Sequence, residues 1–304
     1  MKTVAIIQAR MGSSRLPGKV LEDLGGLPVL EWVVRAAQQT PGVCNTVVAT
    51  TNSPADDIIE NWCTKKNIML HRGSEDDVLS RFVETAKMVN AEIIMRLTAD
   101  CPFLDPLVCG TVLELFKKTK ADYTSNCSPA TWPDGLDCEV FSSLALSQAD
   151  REAILQIERE HVTPFMQYNR SRFLVRTVTC PLPNLHKHRW TLDHPEDLTF
   201  LRAVVKKIGA QKPPSYLDVL NALNNETHLS NLNSNIKRNE GLIKSLAKEN
   251  ASANRTYQNS DSLLVRAYKA IPLGAQTFSK SHNQLPKKSP KFLTYGDGGC
   301  VWDV

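Results

Sequence analysis

Over the first 210 residues the apolar positions switch repeatedly between two periods. Short β-branched runs at 4–7, 46–49, 68–70 and 93–97 predict buried strands. Between them, 29–39, 55–65, 78–89 and 107–117 space their apolar residues three and four apart, which predicts amphipathic helices. Pro28, Pro54 and Pro106 stand at or just before first-turn positions, where a missing N–H is harmless. Strand–helix alternation of this kind predicts an α/β fold, a mainly parallel sheet with helices on both faces. Sites in such sheets lie beyond the carboxyl ends of the strands, so the loops after Ile7 and Leu97 are the places to search.

The pattern changes after residue 120. Runs at 138–141 and 173–178 predict further strands, with antiparallel pairing open. Helices are predicted over 151–168, after Asp193 with Pro195 in the first turn, and over 216–223. Residues 224–260 are rich in Asn, Ser, Lys and Glu and poor in aromatics, the composition of a flexible or weakly helical linker. Regular patterning resumes at Ser262 and ends in a strand-like run at 300–302. The expected organisation is one domain over 1–228, a linker over 229–260, and a segment over 261–304 too short to bury a core, read as the front of a second domain.

Composition narrows the class. With 304 residues, 42% hydrophobic and 22% charged, the chain is an ordinary globular protein rather than a disordered, collagen-like or disulfide-framework one. A net charge of +4 is too mild for a nucleic-acid partner. Residues 229–304 carry eleven Lys/Arg against five Asp/Glu, so the basic excess belongs to the tail. The eight cysteines form no CxxC pair and no zinc spacing with histidine, and His186-Lys187-His188 lacks a carboxylate or thiol partner. The opening apolar run is four residues, too short for a signal peptide, and no segment approaches a membrane span; the expected compartment is the cytoplasm.

The densest chemistry follows the first strand, in Gln8-Ala9-Arg10-Met11-Gly12-Ser13-Ser14-Arg15-Leu16-Pro17-Gly18-Lys19. Three cations, two glycines and two serines in one turn suit a phosphate chain: glycine lets backbone N–H groups approach, arginine offers a fork and lysine a point charge. GxGxxG is absent, and five rather than four residues separate Gly12 from Gly18, with Val20 where a Walker loop has Ser or Thr. A second signal is Arg96-Leu97-Thr98-Ala99-Asp100-Cys101-Pro102 at a strand end, where Asp100 suits a hard cation or a helix cap. A third is Arg189-Trp190-Thr191-Leu192-Asp193-His194-Pro195, in which Asp193 by itself reads as an N-cap.

The run Arg10-x-x-Ser13-x-Arg15-x-Pro17-x-Lys19 resembles the opening of the CMP-sugar cytidylyltransferases, in particular the spore-coat polysaccharide branch, and the resemblance extends over roughly residues 1–225. It implies a glycosyltransferase-A-like nucleotidyltransferase fold. Arg10, Lys19 and Asp100 would then be the catalytic set, with Arg10, Arg15 and Lys19 gripping the triphosphate. Ala9, Gly12, Ser13, Arg81 and Thr98 would complete the nucleotide site. Asp100 and Asp193 would hold Mg2+. Pro133-Asp134-Gly135-Leu136-Asp137-Cys138-Glu139 looks like the acceptor-side loop, and His161 in Glu158-Arg159-Glu160-His161 an acceptor contact; a plain turn and a helix-surface cluster are the alternatives. The implied reaction is attack of a sugar hydroxyl or phosphate on the α-phosphorus of CTP, releasing pyrophosphate, for surface polysaccharide synthesis. A same-fold enzyme using another nucleoside triphosphate and a non-catalytic nucleotide-binding domain remain rivals. The sugar-acid relatives are commonly dimers, so a homodimer is compatible with this reading.

The tail carries a second resemblance. Ser262-Leu263-Leu264-Val265-Arg266-Ala267-Tyr268-Lys269-Ala270-Ile271-Pro272-Leu273-Gly274 and Gly296-Asp297-Gly298-Gly299-Cys300-Val301-Trp302-Asp303-Val304 look like the start of class III pyridoxal-phosphate aminotransferases, nearest the glutamate-1-semialdehyde aminomutase branch. It implies a fusion whose cofactor lysine lies beyond these residues.

Overall fold

The computed structural model describes residues 1–252, 293–297 and 300–303. A seven-stranded sheet forms the spine, in the order β3-β2-β1-β4-β6-β5-β7. Strands β1 (Thr3–Gln8), β2 (Asn45–Thr51), β3 (Met69–Gly73) and β4 (Ile93–Thr98) run parallel. β6 (Glu139–Ser142) lies antiparallel between β4 and β5 (Tyr123–Ser125), and β7 (Val175–Thr177) closes the edge parallel to β5. This is the mixed, mostly parallel α/β sheet that the periodicity predicts.

The period-two alternation of β1 builds two cores at once. Ala5 and Ile7 pack with Val33, Val48, Leu97 and Val112 under α1 (Val29–Gln39) and α4 (Pro106–Thr119). Val4 and Ile6 pack with Phe82, Ile94 and Phe141 under α3 (Val78–Met88) and α5 (Ser143–Glu152). A third cluster, with Trp32, Phe103 and Trp190, lies under α8 (Pro195–Ile208) and α9 (Tyr216–Asn225).

Three expectations shift. The third strand starts one residue after the apolar run 68–70 does and ends three residues beyond it, because this edge strand carries the half-buried His71 and Arg72, and Arg72 is held by Asp57 and Glu60 at 2.7 and 2.6 Å. The helix predicted over 151–168 is broken into the end of α5, α6 (Gln156–His161) and α7 (Pro164–Tyr168). The Glu158 carboxylate accepts from the N–H groups of Ile154 and Leu155, opening a new helix, and Val162 takes a left-handed φ of 71° ahead of Pro164. That break leaves His161 at a helix end beside the site.

The third shift concerns 229–260. A 3-10 turn (Thr227–Asn231) leads to the buried Asn233 and to α10 (Glu240–Ser252), which packs on α6. The described part of this stretch, 229–252, is tied to the fold, because Asn233 and Arg238 bond to groups far back in the chain that composition does not reveal; 253–260 lie outside the described residues. In the tail, β8 (Leu293–Asp297) and β9 (Cys300–Asp303) pair antiparallel. The remainder of the segment read as an aminotransferase opening lies outside the described residues.

Candidate active site

β1 and β4 are neighbours in a register that sets Gln8 beside Thr98. The cationic loop and Asp100 therefore leave the sheet side by side. The loop is closed on itself: the Gly18 N–H donates to the Met11 carbonyl at 3.0 Å, with Gly18 in the left-handed region at φ 73°. It is tethered behind by the Met11 N–H donating to Asp56 Oδ1 at 2.7 Å, while Asp56 Oδ2 accepts from Thr50 and Thr51 on β2.

Asp193 arrives from 93 residues downstream of Asp100, and two connections bring it in. The Leu192 N–H donates to the Asp100 carbonyl at 2.8 Å. Gly135, at φ 106°, lets the 134–137 turn press on the Trp190–Thr191 backbone; a Cβ there would lie 2.6 Å from Thr191 N. Asp134 N–H then donates to the His188 carbonyl and Trp190 N–H to the Asp134 carbonyl.

The result is a convergence on one ammonium. Lys19 Nζ lies 2.5 Å from Asp100 Oδ2 and 2.7 Å from Asp193 Oδ1, and Arg15 reaches the same Asp193 oxygen at 2.9 Å. Burial pulls the Lys19 pKa down, but Asp100 and Asp193 outweigh it and raise it. Burial works against the Asp193 charge, and Lys19 with Arg15 overcomes it, holding the carboxyl well below the usual range. Asp193 is not a helix cap. His194 occupies the cap position of α8, and Asp197 accepts from the Asp193 and His194 N–H groups. Nor does Asp100 cap α4, a task that Asp105 performs.

This cluster opens on a cleft of about 350 Å³ lined by Gln8, Ala9, Arg10, Gly12, Ser13, Arg15, Lys19, Arg81, Thr98, Asp100, His161 and Asp193. Every residue read as nucleotide- or metal-binding thus faces one space. Arg81 sits on the first turn of α3 and turns inward. It is 2% exposed, donates to the Ser74 carbonyl at 2.9 Å, and burial, then Arg10, push its pKa down to about 10. A buried arginine beside another cation is a standing demand for an anion.

A second cavity of about 480 Å³ adjoins the first, and Thr98 and His161 line both. Asp137 and Glu139 line it, as the acceptor reading requires. Glu139 is fully engaged: it pairs with Arg96 and accepts from Tyr123 at 2.6 Å, Thr163 at 2.7 Å and Gln167 at 3.1 Å. His161 Nε2 faces Ser245 Oγ at 3.1 Å, and burial, then Arg96, lowers its pKa, which favours the neutral ring. Asp134 departs from expectation. It is buried against Arg189 at 2.8 Å and is not among the residues lining either cavity. Burial, then Asp137, pushes its pKa up to about 7 against the pull of Arg238 and Arg189. Its place is structural, fixing the arginine that also touches Asp193 and Asp197.

Sequence reasoning missed Arg96, whose Nε donates to Gln8 at 3.1 Å, and the whole contribution of 232–246. Arg96 stood inside a motif already singled out, and a lone arginine in an apolar strand was the available signal. Arg238 donates to Asp137 at 2.6 Å, and Asn233 to the Arg189 carbonyl and Asp197. No local pattern marks these two.

Residues 4–207 match the model of the family described as cytidylyltransferase. The chain belongs to the cytidylyltransferase family. This cytidylyltransferase is 34% identical over 225 residues to the spore coat polysaccharide biosynthesis protein SpsF of Bacillus subtilis, covering 72% of the chain and 92% of that relative. A solved cytidylyltransferase from Leptospira borgpetersenii superposes with a TM-score of 0.72 at 30% identity, covering 78% of the chain and 98% of its own. CMP:2-keto-3-deoxy-manno-octonic acid synthetase, solved with CTP, gives a TM-score of 0.52 at 20% identity and shares the fold, covering 68% and 99%. Among the described residues of the cytidylyltransferase, no helix is long and apolar enough to cross a membrane.

Proposed function

We propose that this nucleotidyltransferase moves CMP from CTP to a hydroxyl or phosphate oxygen of a sugar-type acceptor, releasing pyrophosphate, in the making of a surface polysaccharide. The observation that carries the reading is the meeting of Asp100 and Asp193 on the Lys19 ammonium at the mouth of the cationic loop. The relatives named above support CTP and a sugar acceptor.

A divalent metal, Mg2+ by this reading, fits the residues present. Two carboxylates aim at one point, and a cation, the lysine ammonium, already stands between them. Few carboxylates beside a phosphate site is the donor set magnesium favours, with water and phosphate oxygens completing it. Asp100 and Asp193 would hold it, and it would neutralise charge on the α-phosphate.

The chain's own part is positioning and electrostatics. Arg10, Arg15 and Lys19, with the N–H groups of the glycine-bearing loop, hold the triphosphate in the first cleft. Arg81, desolvated behind them, presents fixed positive charge that needs no reorganisation when negative charge grows on the phosphates. The acceptor enters the second cavity, where Asp137 and neutral His161 hydrogen-bond its hydroxyls and the Arg96–Glu139 pair forms a rigid floor. The bond formed joins acceptor oxygen to α-phosphorus; the bond broken joins α-phosphorus to the oxygen shared with the β-phosphate. Pyrophosphate leaves, and a hydroxyl acceptor gives its proton to water. No protein nucleophile is used: the thiols of Cys101, beside Asp100, and of Cys127, which lines the second cavity, are both pushed well up, by burial first and then by neighbouring carboxylates.

Equilibrium binding of CTP, UTP, GTP and ATP, followed by pyrophosphate release with Mg2+ and a panel of 2-keto sugar acids and sugar phosphates, tests this. Preference for CTP and metal-dependent release that Asp100→Asn abolishes are expected. A purine preference sinks the cytidylyl reading, and release indifferent to Asp100 sinks the site. For 261–304, the reading as an aminotransferase front rests on its sequence motifs.

A further inference from the structure

The cationic loop accounts for one side of the nucleotide cleft. Gly241, Lys244 and Ser245 of α10 also line it. They are spaced i, i+3 and i+4, so one face of the helix looks into the cleft. The same segment serves the second cavity through Asn239 and Leu242. α10 is therefore a wall shared by both spaces, and it lies beyond the matched family region, which ends at residue 207.

Four anchors hold this wall, and each lands on a segment that carries a site residue. Asn233 bonds the Arg189 carbonyl, Arg238 bonds Asp137, Glu240 meets His194 at 3.0 Å, and Ser245 donates to Glu160 at 3.0 Å beside His161. The loop cations already have protein partners: Arg10 with Glu75, Arg15 with Asp193, Lys19 with both aspartates. Lys244 differs. It is exposed, it lines the cleft, and its charge interaction among the described residues is with Glu240, one turn back and itself held by His194. An exposed ammonium lining a cleft beside Arg10, Arg15 and Lys19 can turn from an already engaged carboxylate to a phosphate oxygen.

We infer that α10 is the outer wall of the nucleotide cleft and that Lys244 binds the phosphate chain of the nucleoside triphosphate. The inference rests on the reading of the cleft as a CTP site. Binding of CTP, measured calorimetrically to the full chain without any acceptor, separates the two. Lys244→Ala weakens CTP roughly three- to tenfold, the range for one charge-assisted contact at a half-open site. Lys244→Glu weakens it further, and Lys244→Arg binds within about twofold of the natural chain, since the charge is kept. CMP, with one phosphate, loses less to Lys244→Ala than CTP does. Because the side chain is exposed, the melting temperature of the three variants stays at that of the natural chain, which confirms that binding and not folding is read. CTP affinity unchanged in both Ala and Glu variants overturns the inference while leaving the site intact. Equal losses for CTP and CMP overturn the phosphate assignment. A natural chain that does not bind CTP overturns the underlying reading, and the inference falls with it.

Discussion

Replacing Lys19 by methionine keeps an unbranched stem as far as Cε and removes the ammonium, its charge and its donors together. In the native site that charge sits 2.5 and 2.7 Å from two carboxylates. At an effective dielectric near 20, each contact is worth about 6 kcal/mol of gross attraction, most of it offset by desolvation of the three groups. Without the ammonium, the two aspartate oxygens face each other at no more than about 5 Å, where like charges repel by about 3 kcal/mol on the same scale. Asp100 and Asp193 side chains are 25% and 22% exposed, so solvent screens this to about 1–2 kcal/mol. For a domain of this size that lowers the melting temperature by roughly 5 °C. Millimolar Mg2+ or Mn2+ restores it, because a divalent ion takes the vacated charge position. Turnover with CTP falls about 10²–10³-fold, the scale for losing one preorganised donor to a phosphate.

The pH dependence has a definite sign. Asp193 in the native chain titrates below the usual carboxylate range, burial being outweighed by Lys19 and Arg15. Its stabilising contribution is therefore complete above about pH 4, the unfolded value, and is lost as pH falls below it. In Lys19→Met the Lys19 share of that contribution is gone, Arg15 keeping its own, and the repulsion weakens as Asp193 takes up a proton. The gap in stability between variant and native chain is thus widest at neutral pH and narrows in acid. Thermal melts at several pH values, with and without metal, measure it. A metal response equal in variant and native chain, or a gap that grows in acid, refutes the argument.

Two further outcomes follow from the packing. Glu139→Gln leaves Arg96, whose side chain is only 12% exposed, without its counter-charge and costs about 3 kcal/mol, a melting drop on the order of 10 °C by circular dichroism; adding Arg96→Met recovers part of it, and additive losses in the double variant contradict the pairing. A chain ending after His228 loses the Asn233 and Arg238 anchors, about 3–5 kcal/mol of buried hydrogen bonds, and binds CTP more weakly than one ending after Ser252. Identical melting and CTP titrations for the two truncations would show that 229–252 contributes nothing.

Periodicity along the chain was enough for the sheet and its mainly parallel order, and the motifs were enough to say which loops to search. Periodicity is a local property: Val4 to Ile7 alternate between two cores whatever lies downstream, and a loop crowded with Arg10, Arg15 and Lys19 cannot be covered without anionic partners, from the protein or from a ligand. The motif from Arg10 to Lys19 even named the family. Local pattern also erred where local signals were ambiguous, joining 151–168 into one helix across the turn that presents His161.

Only the tertiary structure decided which distant groups share a charge. Asp193 by itself read as a cap, and its carboxylate came to share Lys19 with Asp100 because Leu192 bonds the Asp100 backbone and Gly135 lets the 134–137 turn press against Trp190. Asp134 and Asp137 stand three residues apart in one loop, yet the first is locked under Arg189 and the second faces the cavity. The segment carrying Arg238 and Lys244 has the composition of a solvated linker, and it is ordered by hydrogen bonds to groups 36 to 106 residues away. Apolar spacing is written along the chain, but the partner of a buried charge is fixed by where the fold leaves another charge unsatisfied.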